Sequence, residues 1–243
     1  MGSAFFWGLV GGVSLVIGAA AVYVIPIHDR VLGAIMAFGA GVLISAVAFE
    51  LVDEAARTTD GDWAVAVGLF AGAMTFFIGD YLIDRAGGKD RKSSRPQSGG
   101  DDSGAAILLG TVLDGIPESI VIGVGLIGGA GVSAAMVAAV FISNIPEAIS
   151  STSGLRASGW SARRLFSMWA GVTLIAALSS LAGFALFDSA PDELVSGVEA
   201  FAGGALLTML ADTMMPEAFE LDGATAGLLT TFGFGLAYAI SAV

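Results

Sequence analysis

The sequence predicts an all-α polytopic membrane protein of eight transmembrane helices with an inverted 3+2+3 repeat. Three observations carry that expectation: a composition too apolar for a water-soluble fold, eight apolar stretches of spanning length, and two similar segments far apart in the chain. Of the 243 residues, 56% are of the hydrophobic set and 13% are charged, with a mean hydropathy of +0.85. A soluble domain carries about twice that share of charge, so a soluble enzyme and a disordered chain are excluded. The 35 glycines fit helices that pack closely in lipid. No cysteine is present, which excludes disulfides, thiolate metal sites and thiol redox chemistry. A net charge of −12 and a pI near 4.2 argue against a nucleic-acid partner or a polybasic lipid clamp. The acidic excess fits either attraction of cations or a high-salt habitat.

A span needs about 20 mostly apolar residues. Eight stretches meet that need, at roughly 4–25, 30–52, 63–84, 104–127, 130–152, 163–187, 194–219 and 222–243. The first has no Lys or Arg ahead of it, so it reads as a span rather than a cleaved signal peptide. Turn and charge signals separate the stretches: Pro26 with His28-Asp29-Arg30, Asp60-Gly61-Asp62, Gly128-Gly129, Ser158-Gly159-Trp160, Ala190-Pro191-Asp192 and Asp222-Gly223. The 85–103 segment, rich in Gly, Ser, Pro and charge, is the one sizeable polar linker and reads as a mobile cytoplasmic loop. The rest, 1–243, is expected to form a single transmembrane domain.

Lys and Arg set the orientation. With eight alternating spans, Arg30, Arg85, Lys89, Arg91, Lys92, Arg95, Arg156, Arg163 and Arg164 fall on one side, and Arg57 alone on the other. The first side is therefore cytoplasmic, in a plasma (inner) membrane, with both termini outside. The repeat gives independent support. Phe38–Ala55 lies against Phe201–Ala218 without a gap, with identities at 38/201, 41/204, 43/206, 48/211, 54/217 and 55/218. Span two runs outward and span seven inward, the opposite orientation found in many secondary transporters.

A carboxylate at mid-bilayer costs roughly 2.5–3.5 kcal/mol on insertion scales. Span four nevertheless holds Asp114 and Glu118 at i, i+4, in Leu113-Asp114-Gly115-Ile116-Pro117-Glu118-Ser119. Span five holds Ser143, Asn144 and Glu147, in Ser143-Asn144-Ile145-Pro146-Glu147-Ala148, all within reach on one helix face. Pro117 and Pro146 lack an N–H, so each leaves the carbonyl four residues back, at Leu113 and Ile142, without its helical donor. Such backbone is tolerated where it lines a polar cavity. Two antiparallel spans can thus aim Asp114, Glu118, Ser143, Asn144 and Glu147 at one point, all oxygen ligands suited to hard or borderline divalent cations. Buried polar residues can also serve only as glue between helices.

These residues resemble the ZIP (Zrt/Irt-like) divalent-metal transporters. The likeness covers essentially the whole chain, and its specific part is Asp114–Ser119 with Ser143–Ala148. Family members usually carry His-Asn-x-Pro-Glu-Gly in span four and a related Pro-Glu-Gly motif in span five. The resemblance places Glu118 and Glu147 at the central carboxylates, Asp114 where a His is usual, Ser143 where a His or Gln is usual and Asn144 where an Asp is common. Without an imidazole, preference shifts from zinc toward manganese or ferrous iron. Gly115, Asn144 and the absence of an acid in span six before Asp188 imply one metal rather than two. His28 reads as a solvated turn residue.

The implied function is uptake of a divalent metal of the zinc, manganese or iron class by alternating access between spans four and five. Spans 1, 4, 5 and 6 would move against 2, 3, 7 and 8. No prosthetic group is expected; the metal is cargo. Metal and protons compete for the same oxygens, so affinity falls at low pH. Glu50, Asp53 and Glu54 are candidates for an outer entrance. Asp212, Glu217, Ser150 and Ser151 are candidates for an inner exit, while Asp80 and Asp84 read as structural. The spacings Gly8-xxx-Gly12, Gly68-xxx-Gly72, Gly125-xxx-Gly129 and Gly223-xxx-Gly227 permit close crossings, one of them a possible homodimer face. Transport of another cation, or metal export, is the alternative. An intramembrane aspartyl protease built on Asp80 and Asp114 lacks its Gly-x-Gly-Asp motif, because Phe77 stands where the first Gly belongs.

Overall fold

The computed structural model describes residues 1–58, 62–88, 100–129 and 133–241, and among them no strand occurs. The helices are α1 (Gly2–Val24), α2 (Asp29–Ala46), α3 (Asp53–Thr58), α4 (Asp62–Ile83) and α5 (Gly100–Val124). They continue with α6 (Ala134–Ala157), α7 (Ala162–Phe187), α8 (Asp192–Met209), α9 (Met215–Asp222) and α10 (Thr225–Ser241). Three π-helical turns occur among the described residues; one, Asp84–Gly88, extends α4, and the other two join successive α-helices. Val47–Val52 joins α2 to α3, and Leu210–Met214 joins α8 to α9, so each pair runs as one long helix.

Among the described residues, seven helical stretches are long and apolar enough to cross a membrane: Gly2–Val24, Asp29–Thr58, Trp63–Ala86, Ile107–Val124, Ala134–Ala157, Ala162–Phe187 and Asp192–Asp222. This is the architecture of a multi-pass membrane protein. The eighth expected span, 222–243, is apolar, and 242–243 lie outside the described residues. Among the described residues its helix α10 holds 17, about 26 Å of helix against a core of about 30 Å. It starts late because Gly223 turns the chain with φ 73°.

Other bounds also differ from the hydropathy reading. The second stretch runs on to Thr58 rather than stopping at 52, since hydropathy marks the apolar boundary and backbone hydrogen bonding continues past it. Span four ends at Val124 instead of 127, before glycines 128 and 129, whose φ values are 76° and 77°. Span five starts at Ala134, where the Ser133 hydroxyl caps the helix by accepting from the Met136 N–H at 3.1 Å. Of the expected 85–103 loop, 85–88 and 100–103 are helical, and the stretch 89–99 lies outside the described residues.

Glycines set the closest crossings. A Cβ at Gly41 would fall on the Thr230 carbonyl, and one at Gly233 on the Phe38 carbonyl, which fixes α2 against α10. The α8–α4 crossing has the same construction, with Gly204 on the Leu69 carbonyl and Gly72 on that of Phe201. Gly8 and Gly12 bring α1 onto Ser180, Ala176 and Thr173 of α7. The Gly8-xxx-Gly12 and Gly68-xxx-Gly72 faces are therefore covered within the chain. Gly125, Gly129 and Gly223 lie in turns.

The main core joins Met36, Leu43, Val47 and Leu51 to Leu206, Met209, Leu210 and Met214, with Val121, Ile122, Val137 and Val140 beside them. Trp169, fully buried on α7, donates from Nε1 to the Thr152 hydroxyl of α6 at 2.8 Å. Arg156 donates to the Val22 carbonyl at 3.0 Å and lies over the Tyr23 ring. That cation meets the carbonyl end of α1, where a positive charge is favoured.

Candidate functional site

Helices α5 and α6 follow one another through a short connection and run antiparallel, with α1 packed against both. Their register can be read at α1. Gly11 faces Ile122 of α5 and Val140 of α6 at the same level, and Gly18 faces Ile145 and Ala148 further down α6. Moving away from the connection, the next level brings Glu118 and Ser119 of α5 to Asn144 of α6. All three line one small cavity with Gly12 and Leu15. One turn further lie Asp114 on α5 and Glu147 on α6.

All the expected site residues are buried. Asp114, Glu118 and Ser143 are 2% exposed, Asn144 and Glu147 7%. The cavity leaves about 10 Å³ for the centre of a water-sized particle, room for about one. Asn144 donates from Nδ2 to the Gly11 carbonyl at 3.3 Å, which leaves its side-chain oxygen as an acceptor. Ser143 donates to Val140 on its own helix at 3.1 Å. Both prolines lie inside continuous helices. The surface of α2 at Gly39 meets the backbone at Ile142 and Ser143, beside the carbonyl whose helical donor Pro146 removes.

The three carboxylates do not gather into one metal-holding group. Among the described residues, no three His, Cys, Asp or Glu side chains are grouped to hold a metal ion. The physical reason is the antiparallel register. It spreads the donors along the helix pair: Glu118 and Asn144 share the cavity, while Asp114 and Glu147 each lie a helical turn further from the α5–α6 connection.

The expected entrance and exit residues separate into distinct groups. Glu50 accepts a 2.6 Å hydrogen bond from the Ser133 hydroxyl, tying the Val47–Val52 turn to the start of α6. Asp53 pairs with Arg57 at 2.7 Å on the surface. Glu54 is exposed and interacts electrostatically with Glu50 and with Glu199 of α8. At the other end, Ser150 of α6 donates to Glu217 of α9 at 2.8 Å. Ser151 is buried on the same stretch. Asp212 instead lines an open groove between α4 and α8, with Leu69, Phe70, Phe77 and Leu207; that groove has no wall from α5 or α6.

Two residues escaped the sequence reading. Ser119 lines the cavity, and its position next to Glu118 was the available signal. Glu199 is 8% exposed and lies inside the expected seventh span, so its charge in an apolar window was the sign. It has no neighbouring proline to single it out. No family model and no curated protein sequence matches the chain.

Proposed function

We propose that the chain is a divalent-cation transporter of the ZIP type, taking a metal of the zinc, manganese or iron class into the cytoplasm. The observation that carries this reading is the stack of buried oxygen donors, Glu118, Ser119 and Asn144 and then Asp114 and Glu147, on two antiparallel Pro-Glu helices. Burying three carboxylates in one membrane-spanning pair costs several kcal/mol in insertion, which a passing divalent cation offsets. With oxygen donors only, the site favours manganese or ferrous iron without excluding zinc. The ion is cargo, and the chain is not an enzyme.

The two levels suit a moving ion better than a fixed one. A cation passes from Glu118 and Asn144 to Asp114 and Glu147 by exchanging one ligand pair for the next. Below Glu147, Ser150 and Ser151 continue the polar face of α6 toward Glu217. On the orientation expected from Lys and Arg, this direction is inward.

The inverted 3+2+3 repeat supports alternating access. The two π-helical turns that join α-helices begin at Val47 and Leu210, which stand 163 positions apart, as do Gly41 and Gly204, and Phe38 and Phe201. The α2–α10 crossing is thus matched by α8–α4 at equivalent residues. On this reading both termini face outward from the plasma membrane, and a homodimer would use a face other than the Gly8 or Gly68 stripes.

Accumulation of manganese, iron and zinc in cells expressing the chain tests the function. Wild type is expected to raise the content of at least one metal, with Glu118→Ala and Glu147→Ala abolishing the gain at equal membrane expression. Equal accumulation by wild type and both variants would overturn the reading.

A further inference from the structure

We propose a second cation-binding site, distinct from the α5–α6 stack, formed by Glu199 and Ser196 of α8 with Glu54 of α3. Ser196 and Glu199 are one turn apart, and Gly203 continues their stripe one turn on. The Cβ position of Gly203 meets Val52 and Val47, and Ala200 packs with Ala55 and Val65. This stripe of α8 therefore faces α3 and the turn before it, with Glu199 at the level of Ala55. Ser196 lies one turn further along, toward the end of α3.

Two features call for a ligand. Glu199 is 8% exposed and shares its surroundings with the Glu54 carboxylate, a like charge that acts on it. Independently, the Ser196 hydroxyl is fully buried and has no hydrogen-bond partner among the described residues. A buried hydroxyl without a partner costs about 1–3 kcal/mol, and two adjacent carboxylates repel. One divalent cation relieves both, because the hydroxyl oxygen is a further ligand and the carboxylates neutralise the charge. Glu54 is exposed, so one side of the site is open. Two carboxylates and a hydroxyl leave positions for water, the arrangement preferred by hard cations such as manganese, magnesium or calcium.

On the transport reading, which this inference deepens, the site lies at the outer mouth and collects ions before they reach Glu118. The ligand probe is Mn²⁺ alone, titrated into purified full-length protein and followed by the paramagnetic resonance signal of the free ion. Wild type is expected to bind a Mn²⁺ ion that Glu199→Gln loses or holds at least tenfold more weakly. Glu54→Gln and Ser196→Ala weaken the same ion by a smaller factor, with unchanged elution and thermal transition. The loss should persist in a Glu118→Gln/Glu147→Gln background, which separates this site from the α5–α6 stack. If vesicles take up no metal while the Glu199-dependent ion remains, the transport reading fails and this site stands. Unchanged Mn²⁺ binding in both Glu199→Gln and Glu54→Gln overturns it.

Discussion

The Ser150 hydroxyl of α6 donates a 2.8 Å hydrogen bond to the carboxylate of Glu217 on α9. Ser150 lies one turn beyond Glu147, so this bond ties the helix that carries that acid to the helix that follows the Leu210–Met214 π-helical turn. The Ser133–Glu50 bond ties the opposite end of α6 to the first such turn. Helix α6 is therefore held at both ends by carboxylates from the two segments that resemble each other.

Ser150→Ala should lower stability by about 1–2 kcal/mol, since a half-buried carboxylate loses a donor. Glu217→Gln keeps an acceptor and should cost less. Thermal unfolding in detergent checks both, and a larger loss for Glu217→Gln would contradict the assigned donor and acceptor.

Gly41→Ala and Gly204→Ala each drive a methyl group into a backbone carbonyl. Overpacking of this kind costs about 1–3 kcal/mol, and the matched crossings predict similar losses at the two positions. Gly227 has open space around its Cβ position, so Gly227→Ala should leave the thermal transition in place. A loss confined to one of the two crossings would contradict their equivalence.

Trp169→Phe removes the indole N–H that Thr152 accepts in a fully buried setting. The expected cost is about 1–3 kcal/mol, measured as a lower midpoint of thermal unfolding. Arg57→Ala breaks only the exposed pair with Asp53 and should change stability by less than about 1 kcal/mol.

Much of this fold was legible because lipid imposes a simple rule on the sequence. A long apolar run must be helical, which located α1, α4 and α7 to within a few residues. The ends of α2 and α8 were not legible, because polar residues such as Asp53 and Asp222 continue a helix that hydropathy has already ended. The buried acids stood out against their apolar spans, and Pro117 and Pro146 marked the two helices that carry them. Their division into two levels depends on how Gly11 and Gly18 seat α1 against α5 and α6, a long-range contact that no local spacing encodes. Glu199 lies close to α3 only through the packing of α8 on it, and the groove that Asp212 lines is built with α4 residues distant in sequence.

Competition between protons and the cation gives a second test of the stack. Uptake should fall as pH drops from about 8 to about 5, because the same carboxylate oxygens bind either. A flat profile over that range in reconstituted vesicles would contradict a carboxylate-based pathway.

The most direct measurement is uptake into proteoliposomes of zinc, manganese, iron, cadmium and magnesium, with wild type and Glu147→Ala side by side. Wild type is expected to carry at least one of the transition metals, with manganese or ferrous iron favoured, and Glu147→Ala to carry none above empty vesicles. Uptake that is equal in wild type and Glu147→Ala, or absent for every metal in correctly folded wild type, would contradict the account.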